Sequence, residues 1–396
     1  MAQTISVGCD IGSQSVKIIV TESNDQHKSK PRIIGAGFSE SKGVRHGYIV
    51  NIDEAALSIK RAVVEAEKSS GYKISKTYLA IGGVGLSGAV FSSSMLLSEK
   101  DSEVTQNDLK KIAEQCENDL PSSFLLNREI IHAIPLQYKL DGKLVMGRVL
   151  GMHGSKLEVR MLFITCLSQH VRDMIDALGA CGIAVEDVMA APLASSLATL
   201  SKNQQMAGCL LLNIGSETVS AAVFENGMPI SIEVFPIGGN DITNDIALGL
   251  KIGLEDAERV KVSKPETVPY PRKKLEEIIS ARLSDIFELV EAHLKKIGRS
   301  GLLPAGVNMT GTSANISHLE EVAKSYLKLP AKKVGMKFDG DSKLPIRDGS
   351  WSTAYGLCVL GSTSNESESV ISLYGMRNVM HSAKNSIWGW IKKILP

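Results

Sequence analysis

The sequence predicts an α/β protein of two related halves, with a small inserted α+β subdomain and a detached amphipathic helix at the C-terminus. Three observations lead to that class. The pattern Asp10-Ile11-Gly12-Ser13-Gln14-Ser15-Val16 returns as Asn213-Ile214-Gly215-Ser216-Glu217-Thr218-Val219, an offset of 213 − 10 = 203 positions. Strand-like and helix-like runs alternate in both halves. The last twelve residues, 385–396, follow a polar linker and are apolar on one arc and basic on the other.

Each copy of the repeated pattern reads as strand, tight turn, strand, with Val7 to Cys9 and Leu210 to Leu212 leading in and Ile18 to Val20 and Ala221 to Phe224 leading out. The Gly in each turn lets backbone approach a ligand closely, and the hydroxyls and N–H groups beside it suit phosphate oxygens. Two such hairpins would grip one phosphate chain from opposite sides. A strand around Arg32 to Phe38 comes next, then a helix with an acidic start at Asp53-Glu54 and a stop at Ser69-Ser70-Gly71, then a strand from Thr77 to Ile81 ended by Gly82-Gly83.

From about Val84 to Cys166 the texture changes. Thr105-Gln106-Asn107-Asp108 is a capping box for a helix ending near Asp119, and Glu129 to Leu140 and Leu157 to Ile164 read as strands. Helical patterns then cover Ser168 to Ala180 and Pro192 to Leu200. In the second half Gly238-Gly239 stands directly before an Asp-capped helix, and Gly311-Thr312-Ser313 follows a strand end and precedes a helix starting near His318. Taken singly, each of these glycine turns is more often only a turn. From Gly361 to Glu368 no apolar residue follows the glycine, which marks a solvated linker. Helical stepping then puts Ile387, Trp388, Trp390, Ile391, Ile394 and Leu395 on one arc of roughly 160°, with Gly389, Lys392 and Lys393 opposite, as in an interfacial membrane helix.

Composition narrows the function classes. A chain of 396 residues with 43% hydrophobic content can bury more than one core. The formal net charge of +1 advertises no broad basic surface, which argues against nucleic acid as a partner. Cys9, Cys116, Cys166, Cys181, Cys209 and Cys358 form no C-x-x-C pair and read as ordinary buried thiols. With no leader pattern and no apolar run near the roughly 18 residues of a membrane span, the expected place is the cytosol unless the tail attaches the chain to a membrane.

In their order along the chain, these loops resemble those of the actin, Hsp70 and sugar-kinase superfamily, which implies an actin-like (ribonuclease H-like) two-domain fold closing on ATP and Mg2+. Asp10, Gly12, Ser13 and Lys17 line up with actin's Asp-x-Gly-Ser-x-x-x-Lys. The quartet Glu258-Arg259-Val260-Lys261 resembles the Hsp70 segment that holds ribose and adenine, and Gly311-Thr312-Ser313 falls where the adenosine loop belongs. Within the superfamily, Gly47-Tyr48-Ile49-Val50-Asn51-Ile52-Asp53 and Leu150-Gly151-Met152-His153-Gly154-Ser155-Lys156-Leu157-Glu158 are similar to runs of the FtsA family of bacterial division proteins.

The resemblance implies a division of the chain: 1–83 and 167–205 as the first actin-like domain, 84–166 as the inserted subdomain, 206–361 as the second domain, 362–384 as linker and 385–396 as membrane-targeting tail. It implies Mg2+ at Asp10, phosphates at Gly12, Ser13, Gln14, Lys17, Gly215, Ser216 and Thr218, and adenosine near Gly238, Gly239, Glu258, Lys261, Gly311, Thr312 and Ser313. It further implies a tether at the division septum, on the cytoplasmic face of the cell membrane, that binds the FtsZ C-terminal peptide, self-associates into filaments and recruits later division proteins. The superfamily's second loop reads Asp-x-Gly-x-Gly-Thr, whereas this chain has Asn213 and Glu217, so weak or absent ATP hydrolysis is expected. The alternatives are a PilM-like pilus-assembly scaffold and a small-molecule kinase; the tail counts against the first, and the altered loop and tail against the second.

Overall fold

The computed structural model describes residues 3–24, 30–97, 101–262, 270–338, 346 and 348–363. β1 (Gln3–Ile11), β2 (Ser15–Asn24) and β3 (Arg32–Glu40) form an antiparallel meander. The short pair β4 (Val44–Arg45) and β5 (Tyr48–Ile49) leads into α1 (Ile52–Ser70) and β6 (Lys76–Ile81). The cap of α1 is Asn51, whose side chain accepts the Glu54 N–H, and the helix stops at Gly71, where φ is 70°. Its buried stripe of Ala55, Ile59, Ala62, Val63 and Ala66 lies on β2 and β3, and the bare Gly37 of β3 permits this, since a Cβ there would meet Ala62 O at 1.8 Å.

The insert contributes β7 (Ser87–Leu96), β8 (Ser102–Glu103), α2 (Gln106–Asn118), α3 (Ser122–Leu125), β9 (Arg128–Leu140), β10 (Lys143–Leu144), β11 (His153–Gly154) and β12 (Lys156–Leu167). Its antiparallel sheet runs β10-β9-β12-β7 and has its own core, where Leu109, Ile112 and Cys116 of α2 meet Met161 and Phe163 of β12. The expected capping box is present at Thr105 and Asp108, which exchange hydrogen bonds. α4 (Ser168–Gly179), β13 (Ala184–Ala190), α5 (Ala191–Thr199) and α6 (Lys202–Ala207) return the chain to the first sheet and on to the second half.

That half comprises β14 (Cys209–Ile214), β15 (Val219–Glu225), β16 (Met228–Phe235), α7 (Gly239–Leu250), α8 (Leu254–Val262), α9 (Arg272–Lys296), β17 (Val307–Thr310), α10 (Leu319–Leu327), β18 (Ala331–Lys333) and α11 (Ser352–Thr363). The two large sheets run β3-β2-β1-β6-β13 and β16-β15-β14-β17-β18. They are the same arrangement. In each the first three strands are antiparallel, and the last two join parallel to the first strand's other edge. β14 is buried on both faces, with Cys209 and Leu211 in the first core and Leu210, Leu212 and Ile214 in the second, as strand alternation requires.

One element departs from the expected division. α11, the end of the segment 206–361, packs against α5 and β1 of the first half, and it runs on to Thr363. Small residues allow it: a Cβ on Gly8 would meet Ala354 O at 2.1 Å, and one on Gly356 would meet Ala194 O at 1.7 Å. The six cysteines are free, and burial pushes Cys116 up to about 11 and Cys166, Cys209 and Cys358 up to about 12, as expected of inert thiols. Among the described residues no helix is long and apolar enough to cross a membrane.

Candidate functional site

The two repeated turns face each other across a cleft between the halves. In the β1–β2 turn the Gly12 N–H donates to Ser15 O at 3.1 Å, and in the β14–β15 turn the Gly215 N–H donates to Thr218 O at 2.9 Å. Both ends of that bond keep the 203-residue offset, so the sequence repeat is a repeat of backbone geometry. Asp10, Gly12, Ser13, Gln14, Lys17, Gly215, Ser216, Thr218, Gly311 and Thr312 line the cleft, ten of the residues expected there, together with Asn213. Gly47, Gly82, Gly83, Ala191, Pro192, Ser350 and Thr353 are also on its walls. Among these the sequence offers Gly82-Gly83 as a strand end, Gly47 as the start of a family-like run and Pro192 as a helix start; Ala191, Ser350 and Thr353 come from distant segments with no common spacing.

Asp10 and Lys17 are register partners on β1 and β2. The Lys17 ammonium donates to Ser15 Oγ at 2.9 Å. Burial pushes the Asp10 carboxyl upward against the pull of Lys17, and burial draws Lys17 downward against Asp10 and Asp348. Each charge is therefore sustained by the other, and a cation arriving beside Asp10 would further favour its ionised form. The corresponding pair in the second hairpin is Asn213 and Ser220. There the Asn213 amide donates to Thr353 Oγ1 at 3.4 Å, which ties it to α11.

Gly238, Gly239, Ser313, Glu258 and Lys261 stand behind the second turn and do not line the cleft. The helix α7 begins at Gly239, with Asp241 capping from inside by accepting the Gly238 N–H at 2.8 Å. Its next two N–H groups, of Gly239 and Asn240, donate to Gly215 O and Ser216 O, so they hold the turn instead of presenting free donors to an anion. Ser313 does the same through its N–H to Ile214 O and its hydroxyl to Gly215 O at 3.1 Å. Lys261 is 5% exposed and spends its three donors on Glu258 at 2.6 Å, Thr243 Oγ1 at 2.9 Å and Gly239 O at 3.1 Å. This group braces α7 against α8. Thr312 is different: its hydroxyl oxygen is buried in the cleft wall with no hydrogen-bond partner among the described residues.

Glu217 rises from the tip of the second turn, between β14 and β15. It is 7% exposed and reaches across to the first half. Its carboxylate accepts from Arg45 Nη1 at 2.8 Å and from the His46 N–H at 2.6 Å, and hydrogen-bonds the Ser13 hydroxyl. His46 and Gly47, at φ 47° and 83°, form the two-residue turn between β4 and β5, a type I′ geometry that aims its N–H groups at the cleft rim. The Gly47 N–H donates to Ser13 Oγ at 2.9 Å, so three turn tips meet at one point. Burial works to raise the Glu217 carboxyl, but the His46 N–H, Arg45 and Ser13 outweigh it and hold the group below its usual range. The tail residues Ile387, Trp388, Trp390, Ile391, Lys392, Lys393, Ile394 and Leu395 lie outside the described residues.

Known proteins share this architecture. Residues 210–356 match the family described as cell division protein FtsA, and residues 86–165 match the SHS2 domain inserted in FtsA. The chain is 30% identical to the FtsA of Borreliella burgdorferi over 380 residues, covering 90% of this chain and 91% of that one. It is 26% identical to the FtsA of Escherichia coli K12 over 417 residues, covering 98% and 96%. Among solved structures it is similar to a PilM–PilN type IV pilus biogenesis complex (TM-score 0.64, 17% identity, 90% of this chain and 98% of that one). It is also similar to MreB5 of Spiroplasma citri bound to ADP (TM-score 0.53, 13% identity, 91% and 97%). The fold is the mixed α/β actin-like one carrying an SHS2 insert, and with these relatives over nearly its whole length the chain belongs to the FtsA family of cell division proteins.

Proposed function

We propose that the chain binds an adenine nucleotide with Mg2+ in the cleft between its two turns and works as a membrane-attached tether of the division ring. The observation that carries the nucleotide reading is the buried, unpartnered Thr312 hydroxyl on the wall of a cleft framed by two matched glycine turns. An orphaned buried hydroxyl costs about 1–3 kcal/mol, which a ligand acceptor or donor would relieve. The donor set fits a polyphosphate. Gln14, Ser216 and Thr218 offer amide, hydroxyl and backbone donors and Ser13 its backbone N–H, Lys17 adds a positive charge, and Gly311 and Thr312 would lie beside the nucleoside. Asp10 would hold the Mg2+, which supplies charge neutralisation at the phosphates, through its water shell. The MreB5 neighbour contains ADP, which supports the same reading for the shared fold.

Turnover should be slow. Asn213 is an amide directed at Thr353, and the Glu217 carboxylate is engaged with the other half, so neither is free to orient an attacking water. Self-association would be head to tail and open-ended, giving filaments. The second half would take the FtsZ C-terminal peptide at the septum, later division proteins would join, and the tail from Asn385 to Leu395 would attach the assembly to anionic lipid on the cytoplasmic face of the cell membrane.

Two binding assays on the purified chain test this reading. Fluorescence anisotropy with a labelled FtsZ C-terminal peptide should show saturable binding; a flat titration would favour the pilus-type or kinase readings. Co-sedimentation with anionic liposomes should be lost in a chain ending at Gly361 or in Trp390→Glu. Undiminished sedimentation of both would remove the tail as anchor.

A further inference from the structure

The Glu217 carboxylate sits in an anion site built by the protein itself. One backbone N–H from His46, one guanidinium from Arg45 and one hydroxyl from Ser13 converge on it, the same donor classes that surround a phosphate oxygen. Ser13 belongs to the first glycine turn and lines the cleft, and Glu217 rises from the tip of the second, so the carboxylate bridges the gap in which the two turns would grip a ligand. The first turn's equivalent residue, Gln14, makes no such crossing and is exposed. Glu217 lines a recess that shares Ser13, Gln14, Lys17, Thr312 and Ser350 with the cleft, so a phosphate chain held between the turns would reach this carboxylate where the two spaces join. Its last phosphate would meet a carboxylate already holding the Ser13 hydroxyl, with like charges in close contact and the donors spent.

We propose that Glu217 is a specificity-determining residue that fills the terminal-phosphate subsite of the cleft, so that the chain favours a nucleoside diphosphate and admits a triphosphate only when the carboxylate lets go of Arg45, His46 and Ser13. This rests on the nucleotide reading above. A triphosphate pays for its third phosphate by breaking the link between the halves, which couples the choice of nucleotide to how tightly the cleft is closed. The diphosphate leaves the link intact.

The test uses the full chain and isothermal titration with Mg-ADP and with a non-hydrolysable Mg-ATP analogue. The wild type should bind ADP at least about tenfold more tightly than the analogue. Glu217→Gly should raise affinity for the analogue by about tenfold or more while changing ADP affinity less than about threefold, and Glu217→Gln should fall between. Arg45→Ala provides the variant that keeps the fold, because that side chain is 71% exposed and outside the phosphate-binding set; it should shift the analogue in the same direction by a smaller factor. Equal changes for both nucleotides, or a wild type that prefers the triphosphate, would overturn the role of Glu217 and leave the nucleotide site standing. Failure of every variant and of the wild type to bind either nucleotide would overturn the nucleotide site and this inference with it.

Discussion

The β1–β2 turn and the β14–β15 turn share a sequence frame, a closing hydrogen bond and a place in sheets of identical strand order, yet their side chains do opposite work. In the first, Asp10 and Lys17 oppose each other across the hairpin and face the cleft. In the second, Asn213 is turned to α11 and Glu217 to the other half. Gln14 and Glu217 occupy the same turn position, one exposed and one 7% exposed, because only the second has Arg45 and the His46 N–H across from it. The repeat extends to the backbone, and the residues placed on it differ: only the second turn sends a carboxylate across to the other half.

The largest expected effect comes from crowding the second turn. Gly311 has φ 105°, and a Cβ there would lie 2.3 Å from Asn213 Oδ1 and 2.5 Å from Ile214 O. Gly311→Ala should cost about 3 kcal/mol in urea unfolding and abolish nucleotide binding. Gly12→Ala in the first turn meets only Ser15 O at 3.3 Å and should cost under about 1 kcal/mol. Equal costs would break the claim that the second turn is the more tightly braced. Next in size, Asp10→Ala should weaken Mg-nucleotide binding at least about tenfold, roughly 1.4 kcal/mol, while Asn213→Ala changes it about twofold. Similar losses from both would mean that the metal side is shared between the turns.

The smallest effect is on acid stability. The folded-state carboxyl of Glu217 lies below its ordinary value of 4.5, so its stabilising contribution is fully present above that pH and is lost as pH falls through the folded value. The melting temperature of the wild type should exceed that of Glu217→Gln at pH 7, and the gap should close below about pH 4.5. A gap independent of pH would show that the carboxylate charge contributes nothing to joining the halves.

What was legible in the sequence was what is local. The two turns could be read because their residues are contiguous and repeat at one offset, and α2 could be read because its capping box spans four positions. β7 is not legible because its Ser-rich run is mostly half-exposed and carries little apolar alternation. β13 is obscured by a register shift between Val185 and Asp187 that interrupts its pattern, and β18 is only three residues long. In the cleft, Ala191, Pro192, Ser350 and Thr353 arrive from remote segments through tertiary packing. Gly238 and Gly239 are expected from the sequence beside the cofactor, but the groups that approach them here are Ser216 O and Ser313 Oγ, and a bare Cα cannot say whether protein or ligand will come near it. The Glu217 partners lie 171 and 172 positions away, beyond any spacing argument.

Hydrogen–deuterium exchange of the full chain with and without Mg-ADP tests most directly whether both turns hold one ligand. Amides in 12–15 and in 215–218 should gain protection together, along one titration curve, with 311–313 following. Protection of only one turn, or of neither while nucleotide is bound elsewhere, would contradict it.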